Sequence, residues 1–201
     1  MERIAIFASG TGSNAKKIIE YFRAHPNIEV KLVVANKPEA PVLEMAAQRG
    51  VKTLQINRSE FYQSEKILDE LAAAQITFVV LAGFLWLVPP YLTNAYPRRM
   101  VNIHPALLPE FGGKGMYGMH VHNAVKENNE TETGITIHYV NENYDEGAII
   151  FQATTQLETS DTPEDIAQKI HTLEYEHFPK VIDKVIHGYK KAKILCGLER
   201  S

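Results

Sequence analysis

Short apolar segments alternate with amphipathic segments along the first hundred residues. The apolar segments have the length of buried strands and cover residues 3–8, 30–35, 51–56 and 77–83. Between them, apolar side chains recur at helical spacing over residues 15–23, 43–49 and 59–74. We expect Ser59 to cap the last of these helices. This alternation predicts an α/β, Rossmann-like fold, in which helices cover both faces of a mostly parallel twisted sheet.

The second half of the chain follows a different pattern. Residues 134–140 alternate between apolar and polar side chains, and residues 148–153 form another apolar run after a polar turn. This pairing predicts an antiparallel hairpin added to the parallel sheet. No segment is rich enough in Pro, Gly or Ser to act as a linker, so residues 1–201 are predicted to form a single domain.

A long amphipathic helix is predicted over residues 162–186. The sequence around its start has the form of a capping box, in which Asp161 or Thr162 precedes two acidic residues, Glu164 and Asp165. A proline in the first turn is compatible with this start, because the backbone N–H that it lacks has no partner there.

The composition narrows the class of protein. Apolar residues make up 45% and charged residues 22% of the chain, as in ordinary globular proteins. The formal net charge of −3 argues against binding to nucleic acid, and no apolar run reaches the roughly 20 residues of a membrane span. The start of the sequence lacks the plan of a signal peptide, and Cys196 is the only cysteine. We expect a cytoplasmic protein with small-molecule partners.

A glycine-rich loop follows the first predicted strand, over residues 10–14. Glycine lets the backbone approach an anion closely, and the free N–H groups of a helix start point towards it. The loop lacks the third glycine of a dinucleotide site and the lysine of a P-loop, so a single phosphate suits it better. The alternative is an ordinary turn in which Ser13 or Asn14 caps the helix.

Asn102 and His104 lie two residues apart at the end of an apolar segment. In a strand, residues at this spacing point to the same side, so an amide donor and a titratable imidazole can face one reacting group. This combination is typical of acyl transfer. Pro105 and Pro109 constrain the chain that follows, and Leu108–Pro109 is a candidate for a cis peptide bond.

The acidic turn between the two hairpin strands contains Glu142, Asp145 and Glu146. A carboxylate from this turn held against His104 would raise the pKa of the imidazole and fix its tautomer. The sequence does not choose among the three carboxylates, and the turn can equally be a plain hairpin connection.

His120 and His122 form a second candidate group. Two histidines at this spacing can hold zinc, but no third ligand pattern follows them. Helix capping or substrate contact is therefore the favoured interpretation, and no metal is expected.

These segments, in this order, resemble the phosphoribosylglycinamide formyltransferases, a folate-dependent family of the formyltransferase superfamily. The resemblance is carried by residues 102–105, by Asp145 with Gly147, and by residues 12–14. It implies a formyltransferase fold with a phosphate-binding half, residues 1–100, and a catalytic and folate-binding half, residues 101–201.

The resemblance also implies an activity. The formyl group of 10-formyltetrahydrofolate would be transferred to the amine of N1-(5-phospho-D-ribosyl)glycinamide, in de novo purine biosynthesis. The implied catalytic residues are Asn102, His104 and Asp145, with a protonated His104 stabilising an oxyanion. The implied substrate-binding residues are Gly12, Ser13 and Asn14 for the phosphate, and Glu174 for the glycinamide end. The implied folate-binding residues are Leu85, Trp86, Leu87, Val88, Asn102, Val140, Asn141 and Tyr144.

Two features depart from the family pattern. Trp86 stands where many members have arginine, and the segment 111–119, with Lys114, is longer and richer in glycine than usual. Two alternatives to the implied activity remain: formylation of another amine, such as an amino sugar nucleotide, and non-catalytic binding of a phosphorylated sugar. The protein is expected to act as a monomer or homodimer.

Overall fold

Seven strands form one sheet that spans most of the chain. The computed structural model describes residues 1–195, the side chains of residues 189–195 excepted, so Cys196 lies outside the described residues. The strands are β1 (Glu2–Ala8), β2 (Ile28–Ala35), β3 (Lys52–Gln55), β4 (Phe78–Leu81), β5 (Met100–His104), β6 (Glu132–Tyr139) and β7 (Ile149–Gln156). Their order across the sheet is β3-β2-β1-β4-β5-β6-β7.

The first five strands are parallel, and the last two are antiparallel to their neighbours. The predicted mostly parallel sheet with an antiparallel hairpin is therefore confirmed. Every residue of β4 is buried, as expected for a central strand that is apolar on both faces.

Helices cover both faces of this sheet. They are α1 (Ser13–Phe22), α2 (Pro41–Ala47), α3 (Arg58–Gln63), α4 (Lys66–Ala73), α5 (Pro90–Ala95), α6 (Met119–Glu127) and α7 (Pro163–Leu195). Buried side chains of α1, α2, α6 and α7 share one core with one face of the sheet. Those of α3, α4 and α5 share a second core with the other face. Each fully buried Phe or Ile side chain contributes about 1.5–3 kcal/mol.

The single helix predicted over residues 59–74 is wrong. The chain forms α3 and α4 instead, because Ser64 adopts an extended conformation and its side-chain hydroxyl donates to the Glu60 carbonyl oxygen, 2.8 Å away. The predicted cap is also wrong, since the Asn57 side chain, and not that of Ser59, accepts a hydrogen bond from the Glu60 N–H at 2.9 Å.

The capping box predicted for the long helix is present. The Asp165 N–H donates to Thr162 Oγ1 at 3.2 Å, and the Thr162 N–H donates to Asp165 Oδ2 at 2.9 Å. The helix begins one residue later than predicted and extends to Leu195, past the predicted end at residue 186. None of the helices in the described part of the chain has both the length and the apolar character needed to cross a membrane.

Candidate active site

Asn102 and His104 are adjacent on one side of β5, as their spacing predicts. β5 lies between β4 and β6, where the sheet changes from parallel to antiparallel. Its C-terminal end therefore faces the edge at which open α/β sheets bind ligands. His104 is buried and Asn102 is partly buried, so both side chains are shielded from bulk water.

Asp145 is the carboxylate that the fold brings to this pair. Its Oδ1 accepts a hydrogen bond from Asn102 Nδ2 at 3.3 Å, and its Oδ2 lies 3.5 Å from His104 Nδ1. Glu142 and Glu146 are both exposed, and Glu146 bonds to a side chain of its own turn. The structure thus resolves the choice that the sequence left open.

The backbone around Asp145 is held in an unusual conformation. Asp145 has a φ of 57°, in the left-handed region that non-glycine residues seldom adopt. Gly147 is required two residues later, because a Cβ there would lie 1.6 Å from the Tyr139 carbonyl oxygen. The turn thus packs tightly against the Tyr139 backbone of β6, and this packing fixes the orientation of the Asp145 carboxylate.

A loop after β5 holds both His104 and Asp145. His104 Nε2 lies 2.7 Å from the Phe111 carbonyl oxygen and donates to it, while the Gly113 N–H donates to Asp145 Oδ2 at 3.0 Å. Phe111 itself has a φ of 53°. Two backbone groups from one short segment thus orient the imidazole and the carboxylate, and Lys114 beyond them is exposed.

His138 is a site residue that the sequence reasoning missed. It is paired directly opposite Asn102 on the neighbouring antiparallel strand, so the two side chains share a face of the sheet. Asn102 Nδ2 lies 3.1 Å from His138 Nε2, and His138 Nδ1 donates to the Tyr139 carbonyl oxygen at 2.8 Å. The remaining imidazole nitrogen can therefore accept from Asn102. The alternation of β6 was visible in the sequence, but its register against β5 was not.

The electrostatics correct one expectation. Burial lowers the pKa of His104 below its ordinary value of 6.5, although Asp145 and the Phe111 carbonyl oppose that shift. Asp145 thus raises the pKa as expected, but burial outweighs it in the free protein, and the imidazole is neutral at pH 7. Burial raises the pKa of Asp145, but the His138 and His104 rings and the Gly113 N–H outweigh it, so the net pKa is lowered. Asp145 stays ionised.

The segment that leaves His104 is tied to the hairpin. Thr136 lies opposite His104 on β6, and its hydroxyl donates to the Ala106 carbonyl oxygen at 2.7 Å. The same hydroxyl accepts from the Leu108 N–H at 2.9 Å. The Leu108–Pro109 peptide bond is cis, as the sequence suggested.

The glycine-rich loop leads directly into α1. Gly12 precedes the helix with a φ of 75°, and a Cβ there would lie 2.3 Å from Val42 Cγ2. No side chain caps α1, so the alternative in which Ser13 or Asn14 serves as the N-cap is wrong. The first N–H groups of the helix remain free of intrahelical partners.

Glu174 connects this loop to the long helix. Its Oε2 accepts from Asn14 Nδ2 at 2.9 Å and lies 2.9 Å from His171 Nδ1. Glu174 is buried, and its charge is close enough to act on both His104 and His122.

Two buried polar atoms beside Glu174 lack hydrogen-bond partners among the described residues. They are Asn14 Oδ1 and His122 Nδ1. Buried polar atoms are nearly always paired in native proteins, so each of these two atoms can accept a water molecule or a polar ligand as its partner. His120, by contrast, is exposed, while His122 is only 3% exposed. The two histidines therefore lie in different surroundings, and substrate contact by His122 stays a prediction.

A narrow pocket of about 60 Å³ is lined by Asn102 and by residues of the loops that follow β4 and β6. Of the residues expected to bind folate, it is lined by Trp86, Leu87, Val88, Asn102, Val140, Asn141 and Tyr144. Leu85 does not line it, since its side chain is exposed and its N–H donates to Ser9 Oγ at 3.0 Å. Phe84, His138 and Asp145 line the pocket in addition.

Trp86 forms a flat apolar wall of this pocket. Its ring contacts Phe61, Tyr62 and Phe84 at centroid distances of 5.6–6.1 Å. The Arg58 guanidinium lies 5.8 Å from the Trp86 ring centroid. This side of the pocket is thus an aromatic surface with a cation beside it.

Sequence comparison identifies the family to which this site belongs. The profile of the family described as "Formyl transferase" matches residues 2–182. The chain belongs to the formyl transferase family. The resemblance seen in the sequence motifs is therefore confirmed.

Several relatives match most of this chain, although the chain spans less than two thirds of the length of several of them. The chain is 39% identical over 190 residues to a chloroplastic phosphoribosylglycinamide formyltransferase of Arabidopsis thaliana, covering 92% of this chain and 65% of that protein. It is 34% identical to the phosphoribosylglycinamide formyltransferase of Bacillus subtilis, covering 92% of this chain and 95% of that one. It spans only 14% of the trifunctional purine biosynthetic protein adenosine-3 of Drosophila melanogaster, at 34% identity.

A solved structure shares the fold. The crystal structure of phosphoribosylglycinamide formyltransferase from Bacillus halodurans superposes with a TM-score of 0.83 at 38% sequence identity. The match covers 92% of this chain and 95% of that chain. The predicted formyltransferase fold is therefore confirmed.

Proposed function

We propose that this formyl transferase moves the formyl group of 10-formyltetrahydrofolate to the amine of N1-(5-phospho-D-ribosyl)glycinamide, in de novo purine biosynthesis. The single observation that carries the proposal is the convergence of Asn102, His104 and Asp145 between a phosphate-type loop and an aromatic pocket. The names of the relatives support the same activity.

The spacing across the sheet suits this substrate. The loop at residues 12–14 follows β1, and His104 ends β5, with one strand between them. Two strand spacings amount to roughly 10 Å, a distance that an extended ribosyl phosphate with a glycinamide arm can span. The phosphate binds the free N–H groups at the start of α1, with Ser13 and Asn14 adding side-chain donors.

The middle of the substrate meets the unpaired atoms beside Glu174. Asn14 Oδ1 and His122 Nδ1 are buried without partners among the described residues, and ribose hydroxyls or the glycinamide amide can satisfy them. Glu174 accepts a hydrogen bond from the glycinamide end. Substrate binding thus completes hydrogen bonding that the free protein leaves incomplete.

The folate binds on the Trp86 side of Asn102. A bicyclic pterin is larger than the 60 Å³ pocket, so it enters as the loop at residues 140–145 moves outward. Trp86, Leu87 and Val88 form one wall, and Val140, Asn141 and Tyr144 form the other. Leu85 lies outside this pocket, and its N–H is already bonded to Ser9 Oγ. The formyl carbon then lies beside Asn102 and His104.

The chemical step follows from the protonation states. The amine nitrogen attacks the formyl carbon, a C–N bond forms, and the carbonyl electron pair moves to oxygen. The amine gives a proton to the neutral imidazole of His104, and Asp145 balances the new positive charge. One Nδ2–H of Asn102 turns from Asp145 to the oxyanion, and the imidazolium stabilises it through its positive charge. The carbonyl re-forms, the bond to N10 of the folate breaks, and the proton passes to that nitrogen.

Three further parts of the proposal concern the whole protein. The imidazole and amide supply the oxyanion donors, so the proposal assigns no metal to the chemical step. One chain holds the complete set of residues, so it acts as a monomer or within a homodimer. Residues 1–100 supply the phosphate loop, and residues 101–201 supply the catalytic residues. The reaction takes place in the cytoplasm.

A substrate panel tests the proposal. Purified protein is mixed with 10-formyltetrahydrofolate and either glycinamide ribonucleotide, its dephosphorylated nucleoside or an amino sugar nucleotide. Folate absorbance gives the rate, and mass spectrometry identifies the formylated product. We expect kcat/KM for the ribonucleotide to exceed that for the nucleoside by about 10–100-fold, since charged hydrogen bonds to phosphate are lost. No turnover of the ribonucleotide at saturation, or faster turnover of the amino sugar nucleotide, would overturn it.

A further inference from the structure

Three potential metal ligands gather far from the active site. His25 follows α1, and Asp183 and His187 lie one turn apart on α7. One ligand atom from each of these residues lies within 4.8 Å of the other two. Asp183 Oδ1 is 2.8 Å from His187 Nδ1 and 3.7 Å from His25 Nε2.

These distances match the coordination shell of a small divalent ion. At the usual metal–nitrogen and metal–oxygen distances of about 2.0–2.1 Å, tetrahedral ligand atoms lie about 3.3 Å apart. The two measured separations fall on either side of that value. Two imidazoles and one carboxylate suit transition metals such as Zn²⁺ and disfavour Mg²⁺ and Ca²⁺, which prefer oxygen ligands.

The hydrogen bonding of Asp183 points to the same conclusion. Its Oδ1 is buried and faces the two imidazoles, yet among the described residues neither contact has the geometry of a hydrogen bond. Its Oδ2 accepts from the Tyr21 hydroxyl at 3.3 Å, an outer contact of the kind that orients metal-binding carboxylates. We propose that His25, Asp183 and His187 bind a Zn²⁺ ion, with water completing the coordination.

Binding requires only small changes to the existing hydrogen bonds. His25 Nδ1 now accepts from the Asn27 N–H at 3.3 Å, and His187 Nδ1 donates to the Asp183 carbonyl oxygen at 3.0 Å. When Zn²⁺ binds, the proton of His25 moves to Nδ1 and His187 releases its bond. Asn27 and His187 are exposed, so water replaces both partners.

The location gives the site a structural role. α1 has ten residues, so its far end lies about 15 Å from the glycine-rich loop, at the opposite edge of the sheet. The ion fastens the end of α1 to the long helix α7. It stabilises the folded protein by mass action and takes no part in formyl transfer, so this inference does not depend on the proposed function.

Zinc binding is measured on metal-free protein without a histidine tag. Titration with ZnCl₂ followed by calorimetry gives the stoichiometry, and thermal unfolding gives the shift in Tm. We expect one Zn²⁺ per chain and a rise in Tm, and at least a tenfold loss of affinity in His187→Ala and His25→Gln. His177→Ala is the matched control, since this histidine lies on the same helix and outside the cluster. We expect its affinity to be unchanged.

Two results would overturn the inference. One is wild-type protein that binds no stoichiometric Zn²⁺ at a free zinc concentration of about 100 µM, where a site with a micromolar Kd would be filled. The other is equal affinity in wild type, His187→Ala and His25→Gln, which would place the ion elsewhere. Because His187 is exposed, its replacement leaves the fold intact and keeps the comparison valid.

Discussion

His104 is subject to two opposed influences. Burial lowers the pKa of its imidazole, while Asp145 and the Phe111 carbonyl oxygen favour the protonated form. Both ring nitrogens face oxygen atoms, so the site is prepared to receive a proton that the free protein does not hold. A residue in this state can accept the proton of an attacking amine and then stabilise the oxyanion.

His104, beside Asp145, and His171, beside Glu174, should titrate on opposite sides of pH 6.5. The pKa of His104 is lowered by burial, and that of His171 is raised by its hydrogen bond to Glu174. NMR titration of the imidazole resonances should therefore give a midpoint below 6.5 for His104 and above 6.5 for His171. A midpoint above 6.5 for His104 would contradict the account of burial.

The same shift has a consequence for stability. A histidine whose pKa is lowered by folding binds fewer protons in the native state than in the unfolded state. The contribution of neutral His104 to the free energy of unfolding is therefore fully present above pH 6.5. It is lost as the pH falls from 6.5 towards the lower pKa that His104 has in the folded protein. The free energy of unfolding should decrease less between pH 7 and pH 5 in His104→Ala than in the wild type.

His138 should act by positioning Asn102. Replacement by Phe removes the acceptor 3.1 Å from Asn102 Nδ2, and we expect kcat to fall by about 100-fold with little change in KM. His138→Gln retains an acceptor and should recover part of the loss. His120→Phe, on the exposed side of α6, is the matched control. An equal loss of kcat in Phe and Gln variants would argue against this positioning role.

The sequence predicted some of these residues and not others, for a physical reason. Asn102 and His104 could be found because two residues in one strand share a side by local geometry alone. Asp145 was one of three candidate carboxylates, chosen only by the family resemblance, because its position depends on a turn. His138 was missed because its position depends on strand register, which the whole fold sets. Burial of His104 is likewise a tertiary effect, so the sequence predicted the effect of the carboxylate on the pKa but not the larger, opposite effect of burial.

At the scale of elements, strands were predicted better than short helices. The apolar strands are recognisable because both faces of the sheet are covered. α5 and α6 lie in segments that the apolar pattern left unassigned, and α5 has only six residues. The break between α3 and α4 depends on hydrogen bonds of Ser64 and Asn57, which compete with the helix locally.

The turn that carries Asp145 depends on one glycine. A Cβ at residue 147 would lie 1.6 Å from the Tyr139 carbonyl oxygen, so Gly147→Ala must displace the turn from β6. We expect a loss of at least about 2 kcal/mol in the free energy of unfolding by urea, together with loss of activity. Gly10→Ala is the control for stability, because nothing lies within 4 Å of the position that its Cβ would occupy. Equal stability of the two variants would contradict the steric argument.

At the scale of the whole molecule, the site joins the first helix to the last. Asn14 and Glu174 are 160 residues apart in sequence and form a hydrogen bond of 2.9 Å. The parallel sheet and the long helix were both predicted, but their relative placement was not, because periodicity carries no information about strand order. The substrate-binding region exists only when α7 packs against α1.

Glu174→Gln tests this long-range contact. The substitution removes the charge that bonds Asn14 and His171, and we expect the Kd for glycinamide ribonucleotide to rise about 10–100-fold. Isothermal titration calorimetry measures this directly. Glu176→Gln is the matched control, since Glu176 is exposed two residues further along α7 and should leave the Kd unchanged. Equal affinities in both variants would remove Glu174 from the substrate site.

The most direct test of the proposed chemistry is to measure turnover and substrate affinity together in His104→Ala. His104 acts on the transition state and not on the phosphate or glycinamide contacts, so the two quantities should separate. We predict that kcat for formyl transfer to glycinamide ribonucleotide falls by about 10³-fold or more, while the Kd for that ribonucleotide stays within about threefold of wild type. A kcat within a few-fold of wild type would contradict the assignment of His104 to the chemical step.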